Sequence, residues 1–159
     1  MDIKSSINTL LIKSVEDEKE LGLLREFMLI QPQFYPKHDE WLDGKCIPRV
    51  EKGAYNNIIV LSDRTVIGDA IYHILDNSKV EIKNFRIDPE YRRRDLGHFI
   101  LKQVEFLNPK RKLILDVTTD NFSGVEFFIR NSFNIVGKEQ LYKEGQFEYL
   151  MEKPQTITS

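Results

Sequence analysis

The chain has 159 residues, of which 41% are hydrophobic and 30% are charged, and its formal net charge is -2 at pH 7. The length suits one domain with a single sizeable core, and the near-neutral charge argues against a nucleic-acid partner. The only cysteine, Cys46, excludes an internal disulfide or a multi-cysteine metal site, and the three histidines lack ligand-like spacing. No apolar run approaches the ~20 residues of a membrane span. We therefore expect a cytoplasmic protein that binds no metal and no membrane.

The N-terminal part is predicted to form a strand and two helices. Residues 7–13 are the expected strand, and Ser14 is the expected N-cap of a helix over about 15–30, which Gln31-Pro32 would end. Residues 38–50 are a candidate second helix. The segment QPQFYPKHDEW between the two helices concentrates aromatic and reactive side chains. It is either a packed connection or part of a binding pocket.

A hairpin is predicted next, with strands over 57–61 and 65–75 around the polar turn Ser62-Asp63-Arg64. Gly68, inside the second strand, indicates a bulge or a close approach of the backbone. His73 alternates with apolar neighbours, which favours a structural histidine over a catalytic one.

The rest of the chain is organised around residues 79–107. Apolar and branched residues predict a strand that ends at Asp88-Pro89, and apolar residues at three- and four-residue spacing predict a helix from Leu96 to Leu107. Three consecutive arginines lie between them, in a segment (83–112) with nine Lys/Arg against four Asp/Glu. A helix N-terminus beside fixed cations is an anion site well suited to phosphate. A solvated basic turn is the alternative.

The last third is predicted as strand, helix and hairpin. Residues 112–117 form a nearly continuous apolar run, as expected of a strand buried on both faces. The helix that starts near residue 122 has an apolar side that carries Phe122, Val125, Phe128 and Ile129. Strands over 133–141 and 147–151 make the final hairpin, which would permit a homodimer, and the tail 154–159 is expected to be disordered.

Two stretches resemble a known family. IDPEYRRRDLGHFIL is similar to the coenzyme-binding signature of the GNAT superfamily of acyl-CoA-dependent N-acyltransferases, with Arg92 on its Arg/Gln position and Gly97 on its last Gly/Ala position. Asp95 replaces the first glycine of that signature. An aspartate there would cap the helix and place a negative charge where a phosphate should lie, which weakens coenzyme binding.

The second stretch, LDVTTDNFSGVEFFIRNSFNIVG, resembles the segment that follows the coenzyme motif in the same family. Asn121, Gly124, Phe127 and Phe133 match its asparagine, alanine and two phenylalanines. Two positions depart from it, since Phe128 replaces a tyrosine and Ser132 replaces a glycine.

The resemblance implies an α/β fold with a central mixed, mostly antiparallel sheet of about seven strands and about four flanking helices, in a single domain over 1–153. It also implies an acetyl-CoA-dependent N-acetyltransferase that acts on a primary amine of a small molecule or peptide. The alternative is a catalytically degenerate module that binds acyl-CoA or a protein partner.

The family's coenzyme site, transferred to matching positions, predicts one set of binding residues: Phe85, Arg86, Ile87, Arg92, Arg93, Arg94, Asp95, Leu96, Gly97, His98, Asn121 and Phe128. A structural helix cap is an equally good interpretation of Asn121. The wall of the acceptor pocket is expected at Tyr35, His38, Glu40 and Trp41, where carboxylate and aromatic groups would attract a cationic amine.

The resemblance implies an acidic residue early in the central strand as the catalytic base, which points to Glu81. His38 and Glu40 are the next candidates, and a surface salt bridge is the structural interpretation of Glu81. Because Phe128 has no proton to give, the leaving thiolate would be protonated by Tyr142, by Tyr91 or by water.

Overall fold

The computed structural model describes residues 10–32, 34–92 and 95–155. Within these ranges the strands are β1 (Leu10–Lys13), β2 (Asn56–Ser62), β3 (Thr65–Ile74), β4 (Lys79–Ile87), β5 (Lys112–Thr118), β6 (Asn134–Glu139) and β7 (Glu148–Lys153). The helices are α1 (Glu18–Ile30), α2 (His38–Trp41), α3 (Ile47–Glu51), α4 (Leu96–Leu107) and α5 (Phe122–Arg130). Residues 7–9 of the expected first strand, Arg93, Arg94 and residues 156–159 of the expected disordered tail lie outside the described ranges.

The strands form one sheet in the order β1-β2-β3-β4-β5-β7-β6. All neighbours are antiparallel except β4 and β5, which are parallel. A parallel pair needs a crossover connection, and α4 supplies it. The predicted fold, a mixed but mostly antiparallel seven-stranded α/β sheet, is therefore confirmed.

A core layer lies on each face of the sheet. On one face, buried residues of β2 to β5 and β7 pack against α4 and α5, with Ile100 and Val104 of α4 fully buried. On the other face, α1 and α3 pack against β2 and β3, with Leu24 and Ile71 fully buried. The second layer covers only the first half of the sheet, because it contains no residue of β5, β6 or β7.

The start of α1 corrects a prediction. Asp17, not Ser14, is the N-cap, and its carboxylate accepts a hydrogen bond from the Glu20 amide at 2.8 Å. The Ser14 hydroxyl instead donates to the Asn57 carbonyl at 3.1 Å, which ties the end of β1 to β2. The Ser14 hydroxyl, which the local sequence predicted as a helix cap, is therefore used to hold two strands together.

The predicted second helix is present but not uniform. A π-helical turn, Leu42–Cys46, separates α2 from α3. Pro48 lies in the first turn of α3, where its missing N–H is tolerated best. Leu42 and Cys46 of the wide turn are fully buried against α1, so the irregular turn sets how this segment meets the core.

The β2–β3 hairpin confirms the prediction around Gly68. The register shifts between Val60 and Leu61, next to Gly68, and a Cβ at this glycine would lie 2.9 Å from Ile87 Cδ1. The position is therefore both beside a bulge and a close approach. The ring of His73 lies 5.4 Å from that of Tyr55, which fits a packing role.

Two predictions for the last third are wrong. Residues of β5 alternate between buried and half-buried, because only one face of this strand is covered by helices. In α5, Phe122 and Ile129 are exposed, whereas Phe128 is buried and Phe127 packs beside it. The buried face of α5 therefore contains Phe127 and Phe128 but not Phe122 or Ile129.

Candidate active site

The parallel strands β4 and β5 separate after a short contact. They pair only at Lys79 with Lys112, Val80 with Leu113 and Glu81 with Ile114. From Ile82 to Ile87, the edge of β4 that faces β5 therefore has no partner strand in the described part of the chain. Backbone N–H and C=O groups on such an edge are free to pair with an extended ligand.

A bulge in β4 determines which side chains face this opening. Tyr72 pairs with Ile82 and Ile71 with Asn84, so Lys83 is the extra residue. As a result, Val80 and Ile82 before the bulge, and Phe85 and Ile87 after it, all contact the same core layer. A change of alternation therefore turns Glu81, Asn84 and Arg86 to the opposite face.

These side chains line a cavity of about 230 Å³, called here the wedge pocket. It also contains residues from the α1–α2 connection and from the loop between β6 and β7. The predicted site residues that line it are Tyr35, His38, Trp41, Glu81, Arg86 and Tyr142. Glu40 is exposed and does not line this pocket, because it lies on the outer side of the short helix α2.

Two tyrosines from distant parts of the chain meet over the pocket. The rings of Tyr35 and Tyr142 pack edge to face with centroids 4.9 Å apart. The Tyr35 hydroxyl accepts a hydrogen bond from the Thr118 amide at 3.3 Å, at the C-terminal end of β5. Burial raises the pKa of Tyr35. The α1–α2 connection is thus fixed to the open end of β5.

Two carboxylates belong to the pocket, one from each of the separating strands. Glu81 of β4 makes an ion pair with Lys83 at 2.6 Å. Asp116 of β5 accepts hydrogen bonds from the Tyr142 hydroxyl, with 2.9 Å to each carboxylate oxygen. Burial raises the pKa of Asp116, and the negative charge of Glu81 raises it further, while the Tyr142 bond opposes this.

The hydroxyl of Tyr142 is held as a donor. Its ring is half exposed, but its hydroxyl end lies against Asp116. Burial of this end and the charge of Asp116 raise the pKa of Tyr142, so the hydroxyl keeps its proton at neutral pH. Any proton that it gave to another group would cost the bond to Asp116.

His38 lies in the wall of the pocket with one ring nitrogen unused. Its Nδ1 is buried without a hydrogen-bond partner among the described residues, since Asp39 Oδ1 is 3.8 Å away. Burial lowers the pKa of His38, so the ring is neutral at pH 7. The ring of Trp41 lies 5.6 Å away and completes this wall.

A fully buried carboxylate lies beneath the pocket. Asp69 of β3 has 0% exposure, and both its oxygens accept hydrogen bonds from Asn84 Nδ2, at 3.0 and 2.9 Å. Burial raises the pKa of Asp69 to about 7, while the Asn84 bond and the charge of Arg86 oppose the shift. The Arg86 guanidinium lies 5.6 Å over the Phe34 ring. This contact joins β4 to the α1–α2 connection.

The predicted phosphate site lies at the start of α4, on the other face of the sheet. Asp95 precedes the helix in the left-handed region, with φ at 57°. Its side chain makes no capping bond to the described residues of the helix, which corrects the expectation of an aspartate cap. The amides of Leu96, Gly97 and His98 belong to the first turn, where N–H groups lack intrahelical acceptors.

Gly97 lets two helices approach closely. A Cβ at this position would lie 2.9 Å from Cε2 and 3.1 Å from Cζ of Phe127. Nearby, Arg92 Nε donates to the Ile87 carbonyl at 3.1 Å, and His98 Nδ1 lies 2.6 Å from Asn131 Oδ1. The structure thus brings most of the predicted coenzyme residues together around the end of β4 and the start of α4.

Asn121 and Phe128 both have structural roles. Asn121 caps α5, since its Oδ1 accepts a hydrogen bond from the Gly124 amide at 3.1 Å. Phe128 packs among the rings of Phe85, Phe127 and Phe133, with centroids 5.2 to 5.8 Å apart. This cluster forms the floor of the α4–α5 side.

The remaining tyrosine candidate lies elsewhere. The hydroxyl of Tyr91 is 3.1 Å from the Ser62 hydroxyl, and Tyr91 packs against the core layer of α4 and α5. It does not line the wedge pocket.

Lys83, Asn84 and Asp116 are among the lining residues that the sequence did not identify. Asp116 had a readable signal, because it is the one charged residue in the apolar run LILDV. Asn84 and Lys83 had none, because the bulge that orients them does not follow from local pattern.

The sequence model of the acetyltransferase (GNAT) family matches residues 21–133. No curated protein matches the sequence at a significant level. In the described residues, no helix combines the length and apolar character that a membrane crossing requires.

Solved structures share the fold at low sequence identity. The ribosomal-protein-S18-alanine N-acetyltransferase from Escherichia coli has a TM-score of 0.74 and 16% identity, covering 95% of this chain and 97% of that chain. The PaiA N-acetyltransferase from Thermoplasma acidophilum, in complex with coenzyme A, has a TM-score of 0.70 and 20% identity, covering 92% and 99%. Arabidopsis thaliana NAA60, in complex with a bisubstrate analogue, has a TM-score of 0.69 and 17% identity, covering 91% and 97%.

The family model matches more than half of the chain. The opening between β4 and β5 and the start of α4 agree with that match. The chain belongs to the acetyltransferase (GNAT) family.

Proposed function

We propose that the protein transfers an acetyl group from acetyl-CoA to a primary amine that binds in the wedge pocket. The observation that carries this proposal is the separation of β4 and β5 after Glu81 and Ile114. It leaves a free backbone edge on β4 between the start of α4 on one side and a polar pocket on the other.

The residues around this edge fit the coenzyme. The edge of β4 from Phe85 to Ile87 that has no partner strand matches the amide groups of pantetheine, although the Ile87 carbonyl already accepts a hydrogen bond from Arg92. The first turn of α4 offers N–H groups and a positive dipole end to a pyrophosphate. Arg92 adds a fixed charge nearby, and Arg93 and Arg94 remain predictions. When bound, the coenzyme supplies an acetyl group activated as a thioester. The rest of the chemistry belongs to the protein.

The amine must lose a proton before it attacks, and two carboxylates are placed to take it. Glu81 remains the first candidate from the sequence, although its carboxylate is already engaged in an ion pair with Lys83. Asp116 is the second candidate, because its raised pKa makes it the better proton acceptor. The neutral ring of His38 is a third acceptor in the same pocket.

Tyr142 fits two roles, which its hydrogen bond distinguishes. As the acid it would give a proton to the leaving thiolate, whose pKa is near ~8.5. As a donor to Asp116 it would instead hold the carboxylate in place. Tyr142→Phe should reduce turnover in either case. The substitution also removes the bond that lowers the pKa of Asp116, so the pH profile should shift if Asp116 takes part in catalysis.

The proposal is tested by calorimetric titration with acetyl-CoA, beside CoA and an adenine nucleotide. We expect micromolar binding, lost in Arg92→Ala, and thiol release when amines are added. Glu81→Gln and Asp116→Asn should each be measured for coenzyme affinity and turnover. The variant that keeps affinity but loses turnover identifies the base. Absence of acetyl-CoA binding up to millimolar concentration would refute the proposal.

One observation favours the second candidate, a degenerate module that binds acyl-CoA without turnover. Phe128 is buried among aromatic rings at the position where the family pattern has a tyrosine. Binding of acetyl-CoA with no thiol release from a wide amine panel would support that alternative.

A further inference from the structure

A second cavity, of about 350 Å³, continues from the wedge pocket over the uncovered half of the sheet. We call it the open groove. Glu81 and Asp116 line both cavities, so the two are joined at the pair of carboxylates. This junction is the point where, under the proposed function, the reacting amine is held.

The lining of the open groove changes character along its length. Next to the carboxylates it is apolar, with Ile114 and Leu150 on the sheet and Val136 and Leu141 at the outer side. Val136 is 57% exposed and Leu141 43% exposed. The core layer of α1 and α3 does not extend over these strands. Apolar surface beside a site of charged groups is expected to take an apolar part of the ligand.

The far end of the groove has a net positive charge, because two lysines and one carboxylate, Glu152, lie there. Lys79 and Lys112 pair with each other in register at the start of β4 and β5, and Lys112 makes an ion pair with Glu152 at 3.2 Å. Lys79 makes no ion pair with a described residue. A ligand with a second positive charge at this distance from its amine would therefore meet like charge.

We propose, resting on the proposed function, that the acceptor is a primary monoamine with an apolar body. Its amine lies between Glu81 and Asp116, and its apolar body lies on Ile114 and Leu150 in the open groove. Diamines and polyamines bind more weakly, because their second positive charge meets the net positive charge of the far end.

The test uses a series of n-alkylamines from ethylamine to hexylamine, with 1,4-diaminobutane as the matched diamine of n-pentylamine. Binding is measured through the fluorescence of Trp41, the single tryptophan and a residue of the wedge pocket, and by calorimetry. Affinity should rise about fourfold for each added methylene group, since one buried methylene group contributes about 0.8 kcal/mol. The diamine should bind at least about tenfold more weakly than n-pentylamine.

Two neighbouring residues of β6 give a matched pair of variants. Val136→Ser should flatten the dependence on chain length, while Ile135→Ser should leave it unchanged, because Ile135 is also exposed but does not line the groove. Both side chains are exposed, so neither change threatens the fold.

Three outcomes would overturn the inference. The affinity could be independent of alkyl chain length, the diamine could bind as tightly as n-pentylamine or more tightly, or no amine could bind up to millimolar concentration. Its failure is distinct from failure of the proposed function. Binding of acetyl-CoA with a flat amine series refutes the groove alone, whereas a sloped series without acetyl-CoA binding refutes the transferase and keeps the groove.

Discussion

The two sides of the separation between β4 and β5 are built in different ways. The α4–α5 side comes from one continuous stretch and its neighbour, and it is closed by aromatic rings and a glycine contact. The wedge pocket on the other side joins residues near positions 35, 81, 116 and 142, and polar contacts hold it together. Packing therefore determines the first side, whereas charge and hydrogen bonding determine the second.

The largest expected effect tests the packing of the α4–α5 side. Phe128→Ala should lower the free energy of unfolding by about 3–5 kcal/mol, because a ring that is 7% exposed leaves a cavity among three others. The control is Phe122→Ala in the same helix, where the ring is 78% exposed and a change within about 0.5 kcal/mol is expected. Equal losses in urea unfolding would contradict the packing described.

The next effect tests the charge beneath the wedge pocket. The pKa of Asp69 is about 7 in the folded protein against about 3.9 in the unfolded chain, a difference of about 4 kcal/mol. Because the folded pKa is raised, stability falls as pH rises from about 4 to about 7 and is constant above. Asp69→Asn should therefore stabilise the protein at pH 8 by about 3 kcal/mol, after about 1 kcal/mol for one lost hydrogen bond.

The measurement for Asp69→Asn is thermal unfolding at pH 4.5 and pH 8. We expect a gain at pH 8 that shrinks towards the lower pH. The exposed Asp120→Asn serves as the control and should show no such trend. A loss of stability at pH 8 would mean that Arg86 compensates the buried charge more than burial penalises it.

A smaller effect concerns the contact between α4 and α5. Gly97→Ala should destabilise by about 1–2 kcal/mol, because its Cβ would press on the Phe127 ring, and it should weaken acetyl-CoA binding. Gly22→Ala is the matched change in α1, where the added Cβ meets nothing within 4 Å, and it should stabilise by about 0.5–1 kcal/mol. If Gly97→Ala also stabilised, the contact would not limit the approach of the two helices.

The smallest effects lie at two positions where the family pattern has glycine. Ser132 and Asp95 both have positive φ, at 72° and 57°. Ser132→Gly should raise the free energy of unfolding by about 0.5–1 kcal/mol, and the melting temperature should rise with it. Asp95→Gly should gain less, because aspartate tolerates this region, but it should bind acetyl-CoA about fivefold more tightly once an exposed like charge worth about 1 kcal/mol is gone. If Asp95→Gly bound acetyl-CoA equally or more weakly, Asp95 would not repel the phosphate.

The sequence predicts the α4–α5 side better than it predicts the wedge pocket. The bounds of β4 and α4 follow from the local apolar period and from prolines. These two elements form much of the α4–α5 side, which is therefore largely predictable. Asn84 and Lys83 do not, because a bulge changes the alternation of β4. The partner of Ser14 and the exposed side of α5 are set by contacts across the sheet. Asp69, buried beneath the pocket, depends on pairing of β3 with β4 and has no local signal.

The strand order β5-β7-β6 has a consequence for how the chain folds during synthesis. The strand β6 precedes β7 in sequence, but it joins the sheet only through β7. When β6 leaves the ribosome, its partner in the finished sheet is not yet made, and the edge of β5 that will pair with β7 is still open. Both are completed by the same short segment, Glu148–Lys153. The second half of the sheet therefore cannot be completed before that segment is synthesised.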